Sequence, residues 1–244
     1  MTVNRLRVRY QNSWLGWAWA VLQPLAFLAF LSVVGSALGG HSTTAGVAYP
    51  LFILASLSPW VFFATSLSTS AAGVLSSRSL IAKVYFPREI VPLSYVFAAL
   101  ADLAIATVLT VVALACTGHS IPATAAELLP ICLILIIYAA ALSLLLSIAQ
   151  IGFRDIAIGL PLLLQGIMFT TPVLYPLDAV PEHWRAVYAL NPLALLVEAF
   201  RGALVGKQII SAEQLVYAAV LGLILLGIAY FVFKTAELDM VDEL

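Results

Sequence analysis

One stretch of this sequence, SSRSLIAKVYFPREIVP at residues 76–92, places four charged side chains between two long apolar segments: Arg78, Lys83, Arg88 and Glu89. The spacing of its apolar residues predicts a small helix that ends before the proline of the FPRE motif. Such a helix displays apolar and basic side chains together, as a docking surface for another protein does. An amphipathic segment on anionic lipid headgroups has the same pattern, so the charges leave both interpretations open.

The polar residues inside the apolar segments do not form a recognisable catalytic site. Asp102 lies near the middle of one such segment, where an ionised acid costs about 3 kcal/mol or more unless it is paired or neutral. A proton relay would need further acids or bases at that depth, and the sequence has none, so a structural, hydrogen-bonded Asp is favoured. Gln23, Gln150 and Gln165 either line a pore or form hydrogen bonds between helices.

Nucleotide, cofactor and metal motifs are also missing from the sequence. The nearest approach to a phosphate-binding loop, GALVGKQ at residues 202–208, is one residue short and lacks the following Ser or Thr. The three histidines are widely separated and predict no metal site. The function classes that remain are a channel, a transporter subunit and a membrane scaffold, with any ATP hydrolysis carried out by another chain.

Composition identifies the environment of the chain. Hydrophobic residues make up 63% of the 244 residues and charged residues only 9%. A soluble domain of this length cannot bury so much apolar surface, so we expect an all-α integral membrane protein. Six apolar segments are each near the ~20 residues that a helix needs to cross a bilayer. These predicted spans are residues 17–38, 49–74, 90–116, 128–151, 157–175 and 213–233.

The first sixteen residues predict an amphipathic helix at the membrane surface. Val3, Leu6, Tyr10 and Trp14 fall on one helical face, and arginines fall on the other. A signal peptide also begins basic and becomes apolar. However, the apolar run 17–38 is too long for one and offers no convincing cleavage site, so we expect it to remain as a span.

The distribution of Lys and Arg predicts the orientation of the spans. With both termini in the cytoplasm, eight of these residues fall on the cytoplasmic side and three fall outside, which is the bias that membrane proteins show. The eight are Arg5, Arg7, Arg9, Arg78, Lys83, Arg88, Arg154 and Lys234, and the three are Arg185, Arg201 and Lys207.

The segment 176–206 is too long for a simple loop and too interrupted for a span. An amphipathic piece, EHWRAVYAL, is followed by a break at Asn191 and Pro192 and by a second apolar helix that carries Glu198 and Arg201 three residues apart. Two short helices that dip into the outer leaflet and return fit this pattern, because such backbone is tolerated where protein covers it or where it lines a cavity. Two helices lying flat on the outer surface fit it as well.

Four motifs occur in order along the chain: RYQNSWLGWAWAVLQPL at 9–25, SLIAKVYFPREIVPL at 79–93, FRDI at 153–156, and a long segment at 171–206 that contains LYP, NP and EAFRG. Each motif alone is weak, but the ordered set covers essentially the whole chain. It resembles the membrane subunit of polysaccharide, O-antigen and teichoic acid exporters within the type-2 ABC permease family.

This resemblance implies a six-span half-transporter that forms a homodimer and binds two copies of a separate cytosolic ABC ATPase. ATP and Mg²⁺ would bind to that ATPase, and the chain itself would carry no cofactor and bind no nucleic acid. The expected location is the cytoplasmic (inner) membrane, in contact with membrane lipid, and the expected substrate is a lipid-linked glycan of O-antigen, capsule, teichoic acid or galactan type. The remaining alternatives are export of a drug or small lipid and an ATPase-independent channel or scaffold.

The resemblance also assigns roles to particular segments. Residues 1–16 would form the interface helix, 76–89 the coupling helix that seats in the ATPase, and 181–206 the outer gate helices. The implied ATPase contacts are Arg78, Lys83, Tyr85, Phe86, Arg88, Arg154 and Asp155. The implied outer gate residues are Trp184, Arg185, Asn191, Pro192, Glu198 and Arg201.

Spans one and five would line the conduit, according to the same resemblance. Aromatic rings there could stack on the apolar C–H faces of passing sugars without a fixed register. The alternative for each ring is a position facing lipid or the packed core. The candidate conduit residues are Trp17, Trp19, Gln23, Phe27, Phe30, Phe169 and Tyr175.

Overall fold

The structure is a computed structural model. It describes residues 43–44, 47–77, 86–120, 122–153, 155–207 and 210–237, and before them positions 2, 18, 21–22, 24–26, 29–30 and 33. All of the predicted interface helix except residue 2, more than half of the predicted first span and the centre of the predicted coupling helix therefore lie outside the described residues.

The described chain is built almost entirely of helices. A two-residue antiparallel pair, β1 (Thr43–Thr44) and β2 (Val47–Ala48), comes directly before the first long helix. Short 3-10 turns lie at Ala123–Glu127 and Leu177–Ala179. The α-helices are α1 (Tyr49–Ser76), α2 (Ile90–Cys116), α3 (Leu128–Gly152), α4 (Ile156–Thr170), α5 (Glu182–Leu190), α6 (Pro192–Val205) and α7 (Ala212–Ala236).

Within the described residues, four helices are long and apolar enough to cross a membrane: α1, α2, α3 with its preceding turn, and α7. The pair α5 and α6, bent by 96°, gives a fifth candidate span if it is counted as one. Helix α4 is apolar but has 15 residues, fewer than the ~20 that a straight span needs. It ends at Thr170, although the predicted span continued to residue 175, because the residue before Pro172 is extended and not helical.

Helix α1 forms the centre of the bundle. Of its most apolar stretch 72% is buried by other helices, against 17% for α7, which lies at the periphery. Close packing of α1 against α2 depends on Gly73: a β-carbon at this position would lie 1.9 Å from the Tyr95 ring. Two buried serines of α1, Ser56 and Ser58, donate their hydroxyls to carbonyls one turn earlier, which satisfies these groups inside the core.

Helix α7 packs against α3 in a similar way. The ring of Tyr138 covers Gly222, and the Tyr138 hydroxyl donates a 2.8 Å hydrogen bond to the carbonyl of Ala218. The outer faces of α2 and α7 expose large apolar side chains, among them Phe97 and Phe231. Such faces suit contact with lipid chains, in agreement with the expected membrane location.

The hairpin (α5 and α6) and residues 86–89 contact different ends of the long helices. The hairpin lies near the start of α1, since Tyr49 of α1 bonds to the carbonyl of Leu174 just before it. Residues 86–89 lie at the opposite end, beside the end of α7. We call these the hairpin end and the 86–89 end.

Candidate functional site

Helix α6 is the buried half of the hairpin. It begins at Pro192, whose missing N–H costs nothing in the first turn, and the side-chain oxygen of Asn191 accepts bonds from the N–H groups of Leu193 and Ala194 at 3.0 and 3.4 Å. It ends at Gly206, which adopts the left-handed conformation (φ 79°) that glycine permits. Every residue between Leu193 and Leu204 is buried, against α1, α3 and α7 among others, so this helix is enclosed by protein.

An ion pair lies inside this enclosed helix. Glu198 and Arg201 bond to each other one turn apart, and each side chain is 1% exposed. Buried charges are tolerated when they are paired and their remaining hydrogen-bonding groups find partners. The carboxylate of Glu198 also accepts a 3.1 Å bond from the N–H of Leu177, in the loop after α4.

The guanidinium of Arg201 extends this network to two further parts of the fold. One nitrogen donates to the Ser56 hydroxyl of α1 at 3.0 Å and to the carbonyl of Pro172 at 3.1 Å. The group also lies 4.0 Å from the centre of the Phe52 ring, within range of a cation–π interaction. The pair therefore holds α6, α1 and the 171–177 loop together.

The exposed half of the hairpin borders a cavity of about 560 Å³, a size typical of small-ligand sites. Three aromatic rings contribute to its wall, and Asn191 and Thr170 add polar groups. The Tyr175 and Tyr188 hydroxyls lie 2.7 Å apart, and their rings meet edge to face. The lining residues are Thr170, Tyr175, Ala179, Val180, Pro181, Trp184, Val187, Tyr188 and Asn191.

The 86–89 end carries a second group of charges, which joins residues far apart in sequence. Lys234, in the last turn of α7, donates to the carboxylates of Glu89 at 2.9 Å and of Glu237 at 2.8 Å. Arg88 donates its side chain to the carbonyl of Glu237 and its backbone N–H to the Glu237 carboxylate at 3.4 Å. Partial burial of Glu237 favours its neutral form and raises its pKa. The hydrogen bonds and positive charges of Lys234 and Arg88 have the opposite and larger effect, so the pKa of Glu237 is lowered.

Comparison with known proteins identifies the family. Residues 1–205 match the family model described as "ABC-2 type transporter". The chain belongs to the ABC-2 type transporter family. It is similar to the O-antigen export system permease protein RfbA of Myxococcus xanthus, with 27% identity over 99% of this chain and 92% of the relative. It is also similar to RfbA of Klebsiella pneumoniae (28% identity, 82% and 77%) and to the polysialic acid transport protein KpsM of Escherichia coli (26%, 99% and 93%).

The structure of this ABC-2 transporter chain brings several predicted gate and conduit residues together. Tyr175, Trp184 and Asn191 share the cavity, and Pro192 starts the buried helix. Arg185 lies at the surface and donates to the carbonyls of Val180 and Asp178 at 3.0 Å each.

Sequence reasoning missed several members of these sites, among them Tyr188, Ser56 and Phe52. Tyr188 was overlooked, although it follows Trp184 by one helical turn. Ser56 and Phe52, the partners of Arg201, carry no signal in the sequence because they lie on another helix.

The remaining predicted site residues are divided between described and undescribed parts of the chain. Phe30 and Phe169 are 63% and 58% exposed, and Asp155 is exposed beside α4. Phe86 is half-buried and packs against an apolar cluster that includes Phe233 of α7. The predicted site residues outside the described residues are Trp17, Trp19, Gln23, Phe27, Arg78, Lys83, Tyr85 and Arg154.

Within the described ranges, no group of three or more His, Cys, Asp or Glu side chains is placed to hold a metal ion. The polar groups of the two sites above are engaged mainly in joining helices and loops.

Proposed function

We propose that this chain is the permease subunit of an ATP-driven exporter that moves a lipid-linked cell-surface polysaccharide outward across the cytoplasmic membrane. The observation that carries the proposal is similarity to O-antigen and polysialic acid permeases over 99% of the chain. The aromatic cavity at the hairpin supports the same substrate class, because aromatic rings stack on the apolar faces of sugar rings.

In the proposed assembly, two copies of this chain form a homodimer and bind two copies of a cytosolic ATPase, which holds ATP and Mg²⁺. Six helical spans, the first at residues 17–38, leave both termini in the cytoplasm. The absence of a phosphate-binding loop from the sequence supports a separate ATPase. The segment 76–89 then acts as the coupling helix, with Lys83 and Tyr85 among its contacts and Phe153–Asp155 as a smaller second contact.

The two halves of the hairpin suit different tasks in such an exporter. Helix α6 is anchored by the Glu198–Arg201 pair and by burial along its whole length. Helix α5 is mostly exposed, and Trp184, Val187 and Leu190 are each more than half exposed. We therefore assign α6 as the fixed wall of the outer mouth and α5 as the part that moves when a polymer passes.

The cavity would hold one section of the polymer at this mouth. Rings of Tyr175, Trp184 and Tyr188 offer stacking surfaces, and the side-chain NH₂ of Asn191 can donate to a sugar hydroxyl because its oxygen already caps α6. Stacking of this kind requires no fixed register, which suits a chain that slides.

The substrate assignment can be tested with Trp184→Ala. Loss of one stacking ring should reduce surface glycan about two- to tenfold while membrane abundance is unchanged, measured by lectin or antibody binding to intact cells. Phe231→Ala is the matched control, since this ring is 69% exposed on the outer face of α7, away from the hairpin. Equal export by both variants and the wild type would contradict a role for the cavity.

The assembly can be tested by gentle purification from the native membrane and mass spectrometry of the associated proteins. We expect a P-loop ATPase at about equal stoichiometry with the permease. Recovery of the permease alone in several mild detergents would favour a channel or scaffold.

A further inference from the structure

We propose that four residues, Arg88, Glu89, Lys234 and Glu237, form a charge latch that fixes the end of the coupling segment to α7, so that α7 transmits its movement to the hairpin. The proposal rests on the exporter function given above. Its structural basis stands apart from that function: Arg88 contacts Glu237 and Glu89 contacts Lys234, and the members of these two pairs lie 149 and 145 residues apart in the sequence.

Two of the four charges, those of Glu89 and Lys234, lie where the helix dipole also favours them. Glu89 is the N-cap of α2, and the N-terminus of a helix favours negative charge. Lys234 lies in the last turn of α7, where the helix favours positive charge. The Arg88 side chain donates to the carbonyl of Glu237, one of the carbonyls at a helix end that lack an intrahelical partner.

Apolar contacts support the same connection. Phe86 packs against a cluster formed by α1, α2, α3 and α7, to which α7 contributes Ala229 and Phe233. The segment 86–89 is therefore held to α7 by the Phe86 ring, by the Glu89–Lys234 ion pair and by the hydrogen bonds between Arg88 and Glu237. A displacement of this segment should move the end of α7 with it.

The opposite end of α7 lies at the hairpin. Helix α7 packs against α6, and its Tyr217 hydroxyl lies 3.5 Å from the carbonyl of Leu190, the last residue of α5. A helix of 25 residues spans about 37 Å, so α7 links the two ends of the bundle as one rigid element. Most of the α7 surface is not buried by other helices, which leaves it free to shift within lipid.

The first test is hydrogen–deuterium exchange of the full-length permease in nanodiscs. In Lys234→Met, we expect amides of residues 88–91 to exchange about fivefold faster than in the wild type, although the change lies far away in sequence. Lys207→Met is the matched control, because it removes an exposed cation at the hairpin end. Unchanged exchange at 88–91 would overturn the latch whatever the protein transports.

The second test is a double-mutant cycle with the reconstituted ATPase complex. Glu89→Gln and Lys234→Met should each lower the amount of glycan exported per ATP hydrolysed, while ATPase binding is retained, and the double variant should be no worse than the poorer single variant. Faster exchange at 88–91 together with wild-type export per ATP would overturn the transmission role. If the wild-type complex binds no ATPase, the proposed function fails, and the exchange experiment still decides whether the latch exists.

Discussion

Replacement of Arg201 by methionine tests whether the buried Glu198–Arg201 pair stabilises the hairpin. Methionine keeps much of the side-chain volume but removes the charge and all guanidinium donors. Glu198 then remains 1% exposed, with the N–H of Leu177 as its remaining bond among those described above. The Ser56 hydroxyl and the Pro172 carbonyl lose the donor that now lies 3.0 and 3.1 Å away.

The expected loss follows from the cost of an uncompensated buried charge. Removing one member of a buried ion pair typically costs about 3–5 kcal/mol, because the remaining charge stays in a low-dielectric site. Protonation of Glu198 limits this cost, since the neutral acid is less expensive to bury. We therefore expect Arg201→Met to lower the free energy of unfolding by about 3 kcal/mol at neutral pH.

The double variant Glu198→Gln with Arg201→Met distinguishes the effect of an unpaired charge from the effect of altered side-chain shape. It removes both charges, so it should be about 1–2 kcal/mol more stable than Arg201→Met alone. The measurement is chemical unfolding in mixed micelles, followed by the fluorescence of the native tryptophans. Arg185→Met serves as control, because Arg185 lies at the surface and its loss should cost less than about 1 kcal/mol.

Two results would refute this reasoning. If Arg201→Met cost no more than Arg185→Met, the buried pair would not hold the hairpin. If the two changes at Glu198 and Arg201 were simply additive, the two side chains would not be energetically coupled, despite their contact.

Two further predictions follow from the packing and from the charge latch. Gly73→Ala should destabilise the fold by about 1–3 kcal/mol, because its β-carbon would overlap the Tyr95 ring, and unchanged unfolding in micelles would argue against this close approach. Because the folded-state pKa of Glu237 is depressed, its stabilisation is present above the ordinary value of 4.5 and is lost as the pH falls through the folded value. Protection of the 88–91 amides, corrected for the intrinsic pH dependence of exchange, should therefore fall below pH 4.5 in the wild type and change less in Glu237→Gln.

The long helices could be predicted from the sequence because length and hydropathy are sufficient for them. The predicted spans 49–74, 90–116, 128–151 and 213–233 each coincide with a helix that has nearly the same bounds. The end of α4 was missed, because its apolar character continues past Thr170 while Pro172 stops the helix. Hydropathy shows which segments can lie in a membrane, but it does not show where proline ends a helix.

The candidate sites could be predicted only in part, because some of their residues meet only when the helices pack together. The Glu198–Arg201 pair is visible in the sequence because its members lie one helical turn apart. Its partners Ser56 and Phe52 belong to α1 and meet the pair only after the helices assemble. The bond between Arg88 and Glu237 could not be foreseen for the same reason, because the two residues are far apart in the sequence. The sequence assigned Arg88 only to an ATPase contact.

Charge distinguishes the two helices of the hairpin, since the buried ion pair lies on α6 and α5 is mostly exposed. Arg201 was counted among the outside cations, but it is buried and paired, so it adds to the rigidity of the fold and carries little weight as an orientation signal. The wall that it holds lies beside α5, which has no such anchor in the described contacts. In the exporter that we propose, an outer mouth built from one buried helix and one exposed helix would open by movement of α5 alone, and α7 contacts both α5 and the segment 86–89.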